Sequence, residues 1–185
     1  MPVFISFLRA VNVGGHNQIK MDALRVLYES LGFRNPQTYV NSGNVVFHTA
    51  ERNAAALTKK IQDSIEKKFD FRPVVVLRSA AELRAIIAAN PFAKRKDIEP
   101  GKFLVTFLAA APAAEALSAA LKIKTDPEEL RIVGSEAFIY FPNGMGRPKM
   151  SWPAIERTLK TTGTGRNWNT VNKLLAMAES LESSS

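Results

Sequence analysis

The chain has 185 residues, 46% of them hydrophobic and 23% charged, which is enough apolar material for a sizeable core in one large or two small domains. It has no cysteine, so disulfides, thiolate metal sites and cysteine nucleophiles are excluded. The net charge of +8 favours polyanionic partners, but the basic residues are spread out. Residues 1–78 carry 11 Lys/Arg against 6 Asp/Glu (+5), and residues 79–185 carry 14 against 11 (+3). The densest basic run is only Lys94-Arg95-Lys96, so nucleic acid is the weaker expectation and a solvated basic surface the stronger.

Val3 to Leu8 is apolar at nearly every position, as in a central strand. This run is too short for a signal peptide or a membrane span, so a cytoplasmic protein without a membrane partner is expected. Next comes Arg9-Ala10-Val11-Asn12-Val13-Gly14-Gly15-His16-Asn17, a polar loop with little to offer a core. Met21, Leu24, Leu27, Tyr28 and Leu31 follow helical spacing, with Gly32 as the left-handed stop. Thr38–Val40 and Val45–Phe47 read as strands of a hairpin around Asn41-Ser42-Gly43-Asn44. Leu57, Ile61, Ile65 and Phe69 mark a second amphipathic helix, and Pro73 to Leu77 a fourth strand. The order is βαββαβ, the ferredoxin-like pattern, and it closes near residue 78.

Ser79-Ala80-Ala81-Glu82 reads as a capping box opening a short helix that stops before Asn90-Pro91. Residues 91–102 form a connecting loop. The βαββα order then recurs: a strand over 103–108, a helix over 112–121, strands over 130–133 and 136–141, and a helix around Ile155 and Leu159 capped by Ser151. No closing strand is expected before a final helix bearing Val171, Leu174, Leu175, Ala178 and Leu181. The fold class is therefore α+β, with a ferredoxin-like first half and a second, incomplete ferredoxin-like half. The expected divisions are 1–78, the 79–102 connection, 103–182 and a polar tail at 183–185.

In a βαββαβ unit the first two strands run parallel, joined by a right-handed crossover. Their C-terminal ends share one sheet edge, so the loop Arg9–Asn17 and the turn Asn41–Asn44 should meet there, with Lys67, Lys68 and Arg72 nearby. Such a rim offers amides, glycine-flanked N–H groups and cations to an anion. Candidate ligand-binding residues are Arg9, Asn12, Gly14, Gly15, Asn41, Ser42, Gly43 and Asn44. Turn formation alone also accounts for the Asn and Gly residues. Arg166 and Asn167, in the Gly163–Thr170 segment, offer either an anion site at a helix start or a simple cap.

His16 and His48 make no metal site, the two loops hold no carboxylate, and neither Gly-x-Gly-x-x-Gly nor Gly-Lys-Ser/Thr occurs. No cofactor, metal or catalytic residue is assigned. The leading expectation is a binding module for a phosphate-bearing small molecule or a nucleic-acid backbone. The alternative is an enzyme acting on a phosphorylated or carboxylated substrate at the same rim.

Arg9-Ala10-Val11-Asn12-Val13-Gly14-Gly15, Met21–Arg25, Leu31-Gly32-Phe33, Thr38–Phe47 and Arg166–Thr170 together resemble the bacterial domain-of-unknown-function family 1697. The family's first loop usually reads Arg-Gly-Ile-Asn-Val-Gly-Gly, so Ala10 and Val11 are departures. Gly163 and Gly165 depart from its threonine-rich approach to the arginine. The resemblance implies an α+β, ferredoxin-like organisation and no particular activity. It also implies that the three polar segments form one signature, with Arg9, Asn12, Asn41, Asn44, Arg166 and Asn167 in a shared site.

Overall fold

A computed structural model describes residues 1–184. The chain separates into two compact units, Met1–Ala85 with the stretch from Asn172 onward, and Ile86–Val171.

The first unit contains β1 (Val3–Leu8), α1 (Met21–Ser30), β2 (Arg34–Tyr39), β3 (Asn44–His48), α2 (Ala54–Phe69) and β4 (Val75–Ser79). Its sheet has the order β2-β3-β1-β4, with every neighbouring pair antiparallel. One face carries Phe4, Leu8, Val45, Phe47, Val75 and Leu77 against Leu24, Leu27 and Tyr28 of α1 and Leu57, Ile61 and Ile65 of α2. Each such side chain contributes roughly 1.5–3 kcal/mol on burial. Ser6 shares this face, and its hydroxyl lies 2.8 Å from the buried Tyr28 hydroxyl, satisfying a polar pair inside the core. Val3, Ile5, Phe7, Val46 and Val76 on the opposite face are buried as well, so β1 is apolar almost throughout.

Local signals place the ends of these elements. Gly32 at φ +81° donates to the Glu29 carbonyl, and Phe33 to the Tyr28 carbonyl, the paired bonds of a Schellman stop. The Asn53 side chain caps α2, and left-handed Asp70 ends it. Beyond β4, the Ser79 amide donates to Glu82 at 2.7 Å and the Glu82 amide to the Ser79 hydroxyl at 3.1 Å. This is the expected capping box, and it opens α3 (Ala80–Ala88).

The second unit contains β5 (Phe103–Leu108), α4 (Ala114–Ala120), β6 (Glu129–Val133), β7 (Glu136–Tyr140), α5 (Trp152–Leu159) and β8 (Gly163–Asn167), followed by α6 (Trp168–Ser183). Its sheet order is β6-β7-β5-β8, again antiparallel throughout. The second half is thus complete, which corrects the expectation that it lacks a closing strand. Glycine and threonine hide β8 in the sequence, yet packing demands them. A Cβ on Gly163 would lie 2.7 Å from Thr106 Cγ2, and one on Gly165 2.9 Å from Leu104 Cδ2. The tail also differs, because α6 runs through Ser183; Ser185 lies outside the described residues.

The two units correspond residue by residue along their central strands, a repeat that element order alone does not reveal. The Leu8 amide donates to the Gly43 carbonyl at 2.9 Å, and the Leu108 amide to the Ser135 carbonyl at 2.8 Å. The next amides, of Arg9 and Ala109, bond the Val74 and Thr162 carbonyls at 2.9 and 2.8 Å. In each unit the closing strand runs straight into a helix through a capping residue, Ser79 or Asn167.

Candidate functional site

The two polar loops meet. Leu8 ends β1 with its bond to Gly43, and Gly43 sits so close that a Cβ there would lie 2.8 Å from Leu8 Cβ. Its φ of +81° also requires glycine. Past β1, Val11 is buried and tethers the loop to the core. Asn12 then takes a left-handed conformation at φ +56°, which asparagine tolerates. Its Nδ2 donates to the Ile19 carbonyl at 2.9 Å and to the Asn41 carbonyl at 2.8 Å. Its Oδ1 accepts from the Ile19 amide at 2.8 Å. One side chain therefore fastens the start of the loop, its end and the β2–β3 turn together. Val13 and His16 form a small bridge with Gly14 and Gly15 at the tip, and Asn17 Nδ2 reaches back to the Ala10 carbonyl at 3.3 Å.

Asn44 is fully buried and holds the turn from inside, donating to the Tyr39 carbonyl and the Ser42 hydroxyl, both at 3.0 Å. Val40 at φ +52° is a strained position for a β-branched residue. The asparagines of the signature are thus largely fasteners. What remains accessible is an open depression of ≈ 670 Å³ lined by Asn12, Gln18, Lys20, Asp22 and Asn41 among others. It lies where α1 begins without a side-chain cap. The sequence motif does not mark Gln18 or Lys20, which lie just beyond it in the stretch leading into α1.

Two other expected rim groups are committed elsewhere. Arg72 Nη1 binds Asp63 and Glu66 of α2, both at 2.7 Å. Hydrogen bonds from Lys59 and Arg72 hold the Asp63 carboxyl below its usual range. Lys68 lies over the Phe69 ring. His16 is exposed at the loop tip. Among the described residues no group of three or more His, Cys, Asp or Glu side chains could hold a metal ion, and no helix is long and apolar enough to cross a membrane.

Arg166 and Asn167 belong to β8, in the other unit. Arg166 is buried, with Nη1 donating to Thr164 Oγ1 at 2.7 Å and to the Gly165 carbonyl at 2.9 Å. Burial pushes its guanidinium down to about 10. Asn167 Nδ2 donates to the Gly101 carbonyl, and Oδ1 accepts from the Asn169 amide, which is the capping role. Arg166 has an equivalent that the sequence motifs do not mark. Arg78 faces Ile5 as Arg166 faces Val105, and each donates to the carbonyl just before it. Aligning Val3–Leu8 with Phe103–Leu108 is the signal that finds it.

The internal repeat also provides a control for the loop. The second unit joins β5 to α4 with residues 109–113, five in all, whereas the first joins β1 to α1 with residues 9–20, twelve in all. The same crossover is therefore made without the motif, so the motif is an addition to the fold. Its left-handed residues Ala10, Asn12 and Asn17 are concentrated in that addition.

These observations define a two-unit α+β protein with one elaborated, cross-pinned polar loop beside an open depression. The chain belongs to the family described as protein of unknown function (DUF1697), matched over residues 1–138. That match takes in both polar loops and stops short of Arg166. Among solved structures, the conserved bacterial protein SP0830 from Streptococcus pneumoniae is similar, at 22% identity over 96% of this chain and 98% of that one, with a TM-score of 0.72. This likeness concerns the fold. No curated protein sequence matches the chain.

Proposed function

We propose that the protein is a binding module for an anionic small molecule bearing a phosphate, taken at the rim formed by Arg9–Asn17, Asn41–Asn44 and the start of α1. The carrying observation is that an elaborated loop, fastened by Asn12, borders an open depression that displays Lys20, Gln18 and Asn41. In this reading Asn12, Ser42, Gly43 and Asn44 hold the rim in shape. Lys20 supplies charge, while the Asn41 side chain and the backbone around Gly14 and Gly15 supply hydrogen bonds. The size of the depression suits a nucleotide or sugar phosphate. We also read each unit as a ferredoxin-like βαββαβ fold, supported by the strand orders β2-β3-β1-β4 and β6-β7-β5-β8. That topology puts the first crossover loop and the β2–β3 turn at one sheet edge.

The test is amide chemical-shift mapping with AMP and inorganic phosphate, repeated on Lys20→Glu. Saturable shifts at residues 12–22 and 41, lost in the variant, support the reading. No shift there at millimolar ligand overturns it. A short single-stranded oligonucleotide in parallel tests the nucleic-acid version, for which affinity must fall steeply with salt.

A further inference from the structure

The repeat permits a second comparison, at the opposite end of each sheet. There the first unit keeps its connections short: residues 31–33 join α1 to β2, and residues 49–53 join β3 to α2. The corresponding links of the second unit are long. Residues 121–128 join α4 to β6, eight against three, and residues 141–151 join β7 to α5, eleven against five. Each unit has thus elaborated one edge of its own sheet, and the edges are opposite ones.

The second unit's addition is built firmly. Glu128 is only 3% exposed, and its Oε2 accepts from the Lys149 amide at 3.1 Å and the Met150 amide at 2.8 Å. This buried carboxylate ties the end of one long link to the end of the other. The start of the longer link is held by the Phe141 amide on the Lys102 carbonyl at 2.9 Å, and a turn at Gly144 (φ +83°) closes on the Phe141 carbonyl. Between the two links lies an open depression of ≈ 570 Å³ lined by Lys124, Asp126, Pro127, Asn143 and Lys149. Two cations elsewhere in this unit are neutralised, Arg95 by Asp97 and Glu129, and Lys102 by Glu99. Among the described residues, neither Lys124 nor Lys149 has an ion-pair partner.

We infer that this depression is a second ligand site, distinct from the rim of the first unit, and that it takes a phosphate monoester of a small polyol. Two ammonium groups from separate links supply the charge that a phosphate dianion requires. Asn143 can donate to a phosphate oxygen or accept from a hydroxyl. Asp126 can only accept once ionised, so it repels phosphate and selects ligands that also carry hydroxyls. The backbone fastened by Glu128 reduces the ordering that binding would otherwise require.

The experiment titrates the full chain with ribose 5-phosphate and with inorganic phosphate at fixed ionic strength, following backbone amide shifts. Saturable shifts at 122–126, 143–147 and 149 are expected. Lys124→Ala and Lys149→Ala should each weaken ribose 5-phosphate by about tenfold, as expected for a lost charge-assisted hydrogen bond. Asp126→Asn should tighten inorganic phosphate while shrinking the advantage of ribose 5-phosphate over it. The inference is overturned if these amides do not move, if the shifts survive the Lys124→Ala/Lys149→Ala double variant, or if chloride alone reproduces them. Lys20→Glu leaves this site intact, so failure at the first rim and failure here are read separately.

Discussion

Asn12 and Asn41 are 29 residues apart in sequence, yet the Asn12 side chain donates to the Asn41 carbonyl at 2.8 Å. That bond, with the two to Ile19, makes Asn12 the joint of the candidate site. Asn12→Ala removes all three bonds and places an alanine in a left-handed conformation, for a loss of roughly 2–3 kcal/mol. Asn12→Asp keeps a residue tolerant of that conformation but turns a carboxylate oxygen toward two carbonyls. It should be no more stable than the alanine variant. Urea midpoints compare the two.

Ala10 sits at φ +56°, a left-handed conformation that costs a residue with a Cβ. Ala10→Gly should stabilise the protein by about 0.5–1 kcal/mol, because relief of the left-handed strain exceeds the added freedom of the unfolded chain. Its counterpart Ala110, one hundred positions on, is not left-handed. Ala110→Gly should therefore destabilise by a similar amount. Thermal melts of the pair read the sign directly.

Gly163→Ala would force a Cβ to within 2.7 Å of Thr106 Cγ2 and 2.9 Å of Leu108 Cδ2. The expected cost is about 1–3 kcal/mol. Thr106→Ser deletes one of those methyls. A double-mutant cycle should show partial rescue, and strict additivity would contradict the packing account of β8.

Asp63 accepts from Lys59 and Arg72, which lowers its carboxyl below the unfolded value. The native state then binds fewer protons than the unfolded state in the acid range. The contribution is present above the unfolded value of about 4 and is lost as pH falls through the lower folded value. Asp63→Asn should flatten stability against pH below about pH 4 and leave the profile at neutral pH parallel to wild type.

How much of this was legible follows from what each signal depends on. The Ser79–Glu82 box and the Gly32 stop depend on neighbours in sequence and were readable there. The meeting of the two polar loops followed from the handedness of one crossover. β8 was not readable, because glycine at 163 and 165 is dictated by Thr106, Leu104 and Leu108, residues remote in sequence. The roles of Asn12 and Asn44 were also hidden. An asparagine that fastens backbone and one that waits for a ligand are the same letter, and only the carbonyls around it decide. The repeat was masked because paired positions share size and polarity more often than identity, as Ser6 and Thr106 do.

The fastening of the rim by Asn12 also has a kinetic consequence. A loop already held in its final shape imposes no folding delay on an arriving molecule. Capture at the rim should then proceed at one common encounter rate for ligands of equal charge, and a good ligand should differ from a poor one in how long it stays. Loosening the joint with Asn12→Ala should slow arrival as well as hasten departure.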